Sequence, residues 1–158
     1  HKSKQDYGTP VEVIKAAEYL VGTKFEWDLA ADSNNTICAT EHSVKHHYSI
    51  EDDALKHCWD KGGWCWLNPP FENIKPWVHK AWLEATNWKA HVCMLVPPSV
   101  GSDWWTEYVA DKAQVFFLHG RIIFVGHEDP YPKDCAILLY SPYRRGGYTT
   151  FDWKGATL

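Results

Sequence analysis

Apolar residues recur along the chain in two rhythms. In the first, Val13, Ala16, Ala17 and Leu20 fall at helical spacing. They follow Thr9-Pro10-Val11-Glu12, which reads as a capping box with Thr9 at the N-cap, Pro10 at the first helical position and Glu12 three after the cap. Gly22 ends that helix. A second face joins Ile74, Trp77, Val78, Ala81, Trp82 and Ala85, with Asn73 as cap and Pro76 still in the first turn. A third helix starts at Ser102-Asp103 and turns Trp105, Tyr108 and Val109 inward. The other rhythm is a series of short apolar runs at 25–29, 63–67, 91–96, 115–118, 121–125 and 136–140, which read as strands. Short strands alternating with helices predict an α/β fold. Residues 32–57 carry the least pattern. Ser33-Asn34-Asn35 is turn-like, and 50–55 reads as a loop or a short helix. From Arg144 onward the chain reads as a surface extension.

At 158 residues, 45% apolar and 23% charged, the chain has the size and composition of one globular domain, 1–158, with a core at about 6–140. No apolar run approaches a membrane span and no signal peptide is visible. Five scattered cysteines make no disulfide framework and suit a reducing cytoplasm. A net charge of −4 argues against a surface that is basic throughout and leaves room for a local basic patch. Lys75, His79, Lys80, His119, Arg121, Lys133, Arg144 and Arg145 are the cations to weigh for phosphate contact; Arg144 and Arg145 are a groove-following arm or an ordinary solvated loop. Cys38, His42, His46, His47, His57 and Cys58 show neither Cys-x-x-Cys spacing nor a recognised finger, so no metal is expected. Of the ten tryptophans and their aromatic neighbours, Tyr7, Trp59, Trp64, Trp66, Trp104 and Trp105 are core packing or base-stacking surfaces. Loops 32–57, 98–103 and 126–134 are the places where any sequence preference would reside.

Asn68-Pro69-Pro70-Phe71 carries the chemistry. It follows an apolar strand and precedes a helix. This is the crevice beyond a strand's carboxyl end, where open α/β sheets bind ligands. Two prolines stop the sheet and leave backbone carbonyls pointing outward. The Asn68 side chain adds an acceptor, and Phe71 adds a flat apolar face. An exocyclic amine on an aromatic ring is a poor nucleophile because its lone pair is delocalised. Two acceptors, the Asn68 side-chain oxygen and the Pro69 carbonyl, would hold its hydrogens and aim the lone pair. Catalysis would then be orientation plus matched hydrogen bonding.

The motif resembles the catalytic loop of S-adenosylmethionine-dependent amino-methyltransferases, and the whole pattern resembles the compact phage-type DNA N6-adenine methyltransferases. Tyr7-Gly8-Thr9-Pro10, Asp28-Leu29-Ala30-Ala31, Asp53-Ala54-Leu55, Trp77-Val78-His79-Lys80-Ala81, Leu95-Val96-Pro97 and Gly120-Arg121-Ile122-Ile123-Phe124 follow that family's order. The resemblance implies a single-domain, Rossmann-like methyltransferase with a central, mostly parallel sheet flanked by helices. It implies S-adenosylmethionine as cofactor and adenine N6 in double-stranded DNA as acceptor, with the base flipped out of the helix and the enzyme in the host cytoplasm. Asn68, Pro69, Pro70 and Phe71 would be catalytic. Asp28, Ala30 and Ala31 would shape the cofactor's methionine pocket, with Asn68 beside it. Tyr7, Thr9 and Pro10 would close over the cofactor, and Asp53 would lie near its adenine amine. Lys75, Lys80, Arg121, Arg144 and Arg145 would contact DNA. No Gly-x-Gly loop follows the first strand, so small alanines must do that work.

The same loop chemistry serves cytosine N4, RNA adenine and glutamine amide nitrogens. A catalytically silent protein that holds DNA or a host factor on the same fold is the non-enzymatic alternative. Cofactor binding discriminates it from the enzymes.

Overall fold

The computed structural model describes residues 7–32, 44–143 and 145–158. Helix α1 (Val11–Val21), helix α2 (Lys75–Trp88) and the short helix α3 (Asp103–Tyr108) flank one sheet. Its strands are β1 (Trp27–Asp28), β2 (His46–His47), β3 (Trp64–Leu67), β4 (His91–Val96), β5 (Gln114–Leu118), β6 (Ala136–Tyr140) and β7 (Tyr148–Phe151), in the order β2-β1-β3-β4-β6-β5-β7. Only β6 runs against the rest. The architecture is α/β, as the pattern predicts, with the mostly parallel sheet between helices that the resemblance implies.

The central strands are buried on both faces, which is why they read as unbroken apolar runs. Cys65, Leu67, Val92, Met94, Val96, Leu138 and Tyr140 pack with Val78, Ala81 and Ala85 of α2 and with Trp105 of α3. Trp66, Cys93, Leu95, Ile137 and Leu139 alternate onto the other face, against Val13, Ile14 and Ala17 of α1. Burial on both faces matches the predicted bounds of β4 and β6 residue for residue. Among the described residues no helix is long and apolar enough to cross a membrane.

Helix boundaries differ from expectation at the start. The N-cap of α1 is Pro10, in extended conformation and without a side-chain bond, so Thr9 does not cap the helix. Gly22 ends α1 in the left-handed region (φ 78°), its N–H donating to the Glu18 carbonyl. Ile74 rather than Asn73 stands at the N-cap of α2, again without a side-chain bond. Ser102 caps α3 as predicted, accepting from the Trp105 N–H at 3.3 Å.

Three further differences have a common cause, namely pairing that is not local. His46–His47 forms β2 only because β1 offers an edge; two exposed histidines carry no apolar signal. Residues 121–125 are not a strand. Ile122 and Phe124 are buried, but β5 already has β6 on one side and β7 on the other, and Val125 bridges back to Gly8 instead. The expected surface extension joins the sheet as an exposed edge strand and buries one tryptophan. Its residues 148–151 are β7, paired with β5, and Trp153 is 3% exposed with its indole N–H directed at the Gly120 carbonyl. Trp153→Ala should therefore cost about 3–5 kcal/mol of unfolding free energy, read from urea denaturation. A loss below about 1 kcal/mol would return the tail to the status of an appendage.

Candidate active site

Strand order creates the site. From β1 the chain passes to β2 on one side, and β3 lies on the other side of β1. In a parallel sheet this reversal opens a crevice past the carboxyl ends of the two diverging strands. Asp28 ends β1 and Asn68 follows β3, so the two groups face the same crevice edge. Main-chain bonds lock the edge together. The Leu29 N–H donates to the Trp66 carbonyl, the Tyr48 N–H to the Asp28 carbonyl and the Ala31 N–H to the Tyr48 carbonyl, each at 2.9 Å.

Asp28 is 2% exposed, and its Oδ1 accepts from the Ala30 N–H at 3.1 Å. Burial pushes its carboxyl up to about 7; the Ala30 N–H works against this and the nearby Asp32 charge adds to it. A buried carboxylate at a strand end, with small Ala30 and Ala31 beside it, fits a cationic amino-acid group brought close to the backbone. Asp53 has another setting. It follows β2, takes a left-handed conformation (φ 50°) and lies 3.5 Å from exposed Lys56. Its neighbour Asp52 serves the local turn, accepting from the Ser49 N–H at 2.7 Å and the Ser49 hydroxyl at 2.9 Å. Those bonds hold the Asp52 carboxyl below its usual range.

The Asn68 amide donates both ways into the protein. Nδ2 reaches the Tyr7 carbonyl at 2.9 Å and Thr9 Oγ1 at 3.1 Å. Its Oδ1 is buried and has no partner among the described residues. A buried acceptor left open in this way is a demand for a donor. Among the described residues the Pro69 carbonyl takes no hydrogen bond, whereas the Pro70 carbonyl closes a turn with the Asn73 N–H at 3.2 Å. Of the two proline carbonyls, that of Pro69 is thus the one left open among the described residues.

Phe71 belongs to an aromatic cluster that no local pattern foretold. The Tyr7 ring lies 5.7 Å from Phe71, 5.0 Å from Phe124, 5.4 Å from His127 and 5.6 Å from Tyr131. Phe71 and Tyr131 meet edge to face at 5.5 Å. Burial, with Cys135 and Tyr7 nearby, raises the Tyr131 phenol to about 12, so it stays a neutral donor. Phe124, His127 and Tyr131 come from the connection between β5 and β6, which returns over the carboxyl ends of the parallel strands. The proline-containing, acid-rich stretch 126–134 marks that connection as a loop, but only the fold carries it to Phe71.

The proposed DNA cations separate. Lys75 stands at the start of α2, beside the motif, 3.4 Å from Glu107. Arg121 is exposed on the β5–β6 connection. Lys80 lies farther down α2, with its ammonium 5.3 Å from the Trp59 ring centroid. Arg145 precedes β7 next to Gly146, which packs on Asp111, so it sits at the opposite edge of the sheet from Asn68. Arg144, Cys38 and His42 lie outside the described residues. Lys154, which carries no signal in the sequence, approaches Gly120, just past the carboxyl end of β5.

The family described as DNA N-6-adenine-methyltransferase (Dam) matches residues 1–143. A DNA N-6-adenine-methyltransferase of Escherichia phage T1 is 32% identical over 116 residues, covering 73% of this chain and 45% of that protein. This chain thus spans about half the length of that relative. A DNA N-6-adenine-methyltransferase of Haemophilus phage HP1 is 28% identical over 148 residues, covering 89% of this chain and 82% of its own length. A solved structure from Agrobacterium tumefaciens, described as a predicted O-methyltransferase, aligns with a TM-score of 0.49 at 11% identity over 88% of this chain and 84% of its own. With its family match running from residue 1 to residue 143, the chain belongs to the DNA N-6-adenine-methyltransferase (Dam) family.

Proposed function

We propose that this chain transfers a methyl group from S-adenosylmethionine to the N6 amine of adenine in double-stranded DNA, with the base flipped out of the helix. The observation that carries the reading is the buried Oδ1 of Asn68 at the switch point of the sheet, one residue before the Pro69 carbonyl, both without a partner among the described residues. Two acceptors side by side fit an amine with two hydrogens. Holding both hydrogens pulls the nitrogen lone pair out of conjugation and aims it away from the protein. The cofactor, when bound, supplies an electrophilic methyl carbon and leaves as a neutral thioether. The amine nitrogen gains a bond and a positive charge, and the resulting ammonium is acidic enough to lose its proton to water. No side-chain base is required in the transition state.

Phe71 gives the base a face to stack on, and Tyr7 and Tyr131 stand at its edges. These rings pack against one another, so in this reading an entering adenine parts them. Extruding a base costs a few kcal/mol, least for single-stranded substrate. Lys75, Arg121 and Lys154 share the catalytic edge and are the cations proposed to meet phosphates there; Arg145, at the far edge, has no such role in this reading.

The test is incubation with unmethylated duplex DNA and methyl-labelled S-adenosylmethionine, followed by digestion to nucleosides. Label in N6-methyladenine is the expected result. Label in N4-methylcytosine, in RNA adenine or in protein glutamine would reassign the acceptor. No labelling together with no cofactor binding by calorimetry would favour the silent fold.

A further inference from the structure

We propose that Thr9 is a positioning residue for Asn68: together with the Tyr7 carbonyl it takes both amide hydrogens, and this decides which end of the amide faces the substrate. The inference deepens the function proposed above and rests on it for its kinetic part.

The two ends of an asparagine amide have nearly the same shape, so only hydrogen bonds distinguish them. Tyr7 offers a main-chain carbonyl, which can only accept. A reversed Asn68 would set oxygen against oxygen at the 2.9 Å now occupied by a hydrogen bond. Thr9 takes the second hydrogen at 3.1 Å. With both hydrogens committed inward, Oδ1 alone remains for the amine. The same geometry discriminates against aspartate at this position. A carboxylate would bring a charged oxygen against the Tyr7 carbonyl, with no hydrogen to place between them.

Thr9 is free for this duty because the helix does not use it. It is 3% exposed, and the cap of α1 is Pro10, whose carbonyl accepts from Val13 and Ile14. The other side of the segment is also held. The Gly8 carbonyl accepts from the Val125 N–H at 3.0 Å. Residues 7–9 are thus pinned between α1 and the β5–β6 connection, and the amide is oriented by fixed partners. This role differs from that of a wall over the cofactor. In this role the Thr9 hydroxyl oxygen is engaged by the Asn68 amide.

Thr9→Val keeps the shape and removes the acceptor. One Asn68 hydrogen is then buried without a partner, so kcat should fall about 10-fold, while cofactor Kd and the KM for DNA stay within about 2-fold. Thr9→Ser should restore kcat to within about 2-fold of the parent. Asn68→Asp should lose about 100-fold or more in kcat. A second readout needs no activity. In protein labelled with ¹⁵N-asparagine, the Asn68 side-chain hydrogens, assigned by their loss in Asn68→Asp, should exchange with solvent much more slowly than those of exposed Asn73 and Asn87. Thr9→Val should speed that exchange.

Unchanged kcat in Thr9→Val would overturn the proposal. So would a 10-fold loss of cofactor affinity with kcat intact at saturation, which would make Thr9 a cofactor ligand. Failure of Thr9→Ser to rescue would overturn it as well. Unprotected Asn68 hydrogens in the parent protein would do the same, even where Thr9→Val does not fold. If the parent transfers no methyl to adenine, the function proposed above falls, while the exchange data still decide the orientation of the amide.

Discussion

Asn68→Ala should lower methyl transfer by about 10²–10³-fold, the usual effect of deleting one preorganised polar group aimed at developing charge. The reason is geometric. The Pro69 carbonyl can hold one hydrogen of the amine, but with Oδ1 gone the second hydrogen has no acceptor and the lone pair is no longer aimed. Cofactor affinity should change little, because the buried carboxylate of Asp28 sits on the neighbouring strand and does not depend on Asn68 for its partner. Single-turnover transfer and calorimetric titration of S-adenosylmethionine check the two halves separately. A collapse of cofactor affinity with little loss of saturated rate would mean that the loop binds cofactor and that the acceptor assignment is wrong.

The second large effect concerns Asp28 and pH. Its carboxyl titrates near 7 in the folded protein and near 3.8 in its ordinary state. Below about pH 4 both folded and unfolded chains hold the proton, and Asp28 costs nothing. Between about 4 and 7 only the folded state holds it, so stability falls as pH rises. Above 7 the full penalty is present, about 4 kcal/mol by linkage. Asp28→Asn should remove that slope, which urea unfolding between pH 5 and 8 will show. The same carboxylate should respond to the cofactor. A cationic amino group placed beside it favours the ionised form, so cofactor binding near pH 7 should release a proton and tighten as pH rises through 7. In Asp28→Asn both the affinity and its pH dependence should diminish, measured by calorimetry in buffers of different ionisation enthalpy. A pH-independent affinity in the parent protein would place the cation elsewhere. This pH response belongs to burial and not to residue type; nothing in the string Asp28-Leu29-Ala30-Ala31 distinguishes a buried acid from a solvated cap.

The loop from Asn68 to Phe71 was legible because its signals are local. Two prolines after an apolar run can only end a strand, and an asparagine before them must stand at the carboxyl end of a sheet. The central strands were legible for the related reason that burial on both faces leaves an unbroken apolar run. Thr9 shows where local reading stops. Thr-Pro-x-Glu is a sound cap signature, yet the hydroxyl serves Asn68, fifty-nine positions away. His46–His47, the buried Trp153 and the cluster around Tyr7 share that character. Each depends on a partner distant in sequence, and none of their own residues encodes it. Arg145 is a similar case, a cation whose edge of the sheet is set by β7 pairing with β5.

By itself, then, the sequence determined the α/β alternation, the cores of β3, β4 and β6 and the chemistry offered by Asn68 to Phe71, because propensity, proline geometry and two-sided burial act over a few residues. Only the tertiary structure decided which side of β1 receives β3, which partners take the Asn68 hydrogens, and how deeply Asp28 is buried. Those three are outcomes of long-range pairing and exclusion of water, and a chain acquires them only when its distant segments meet.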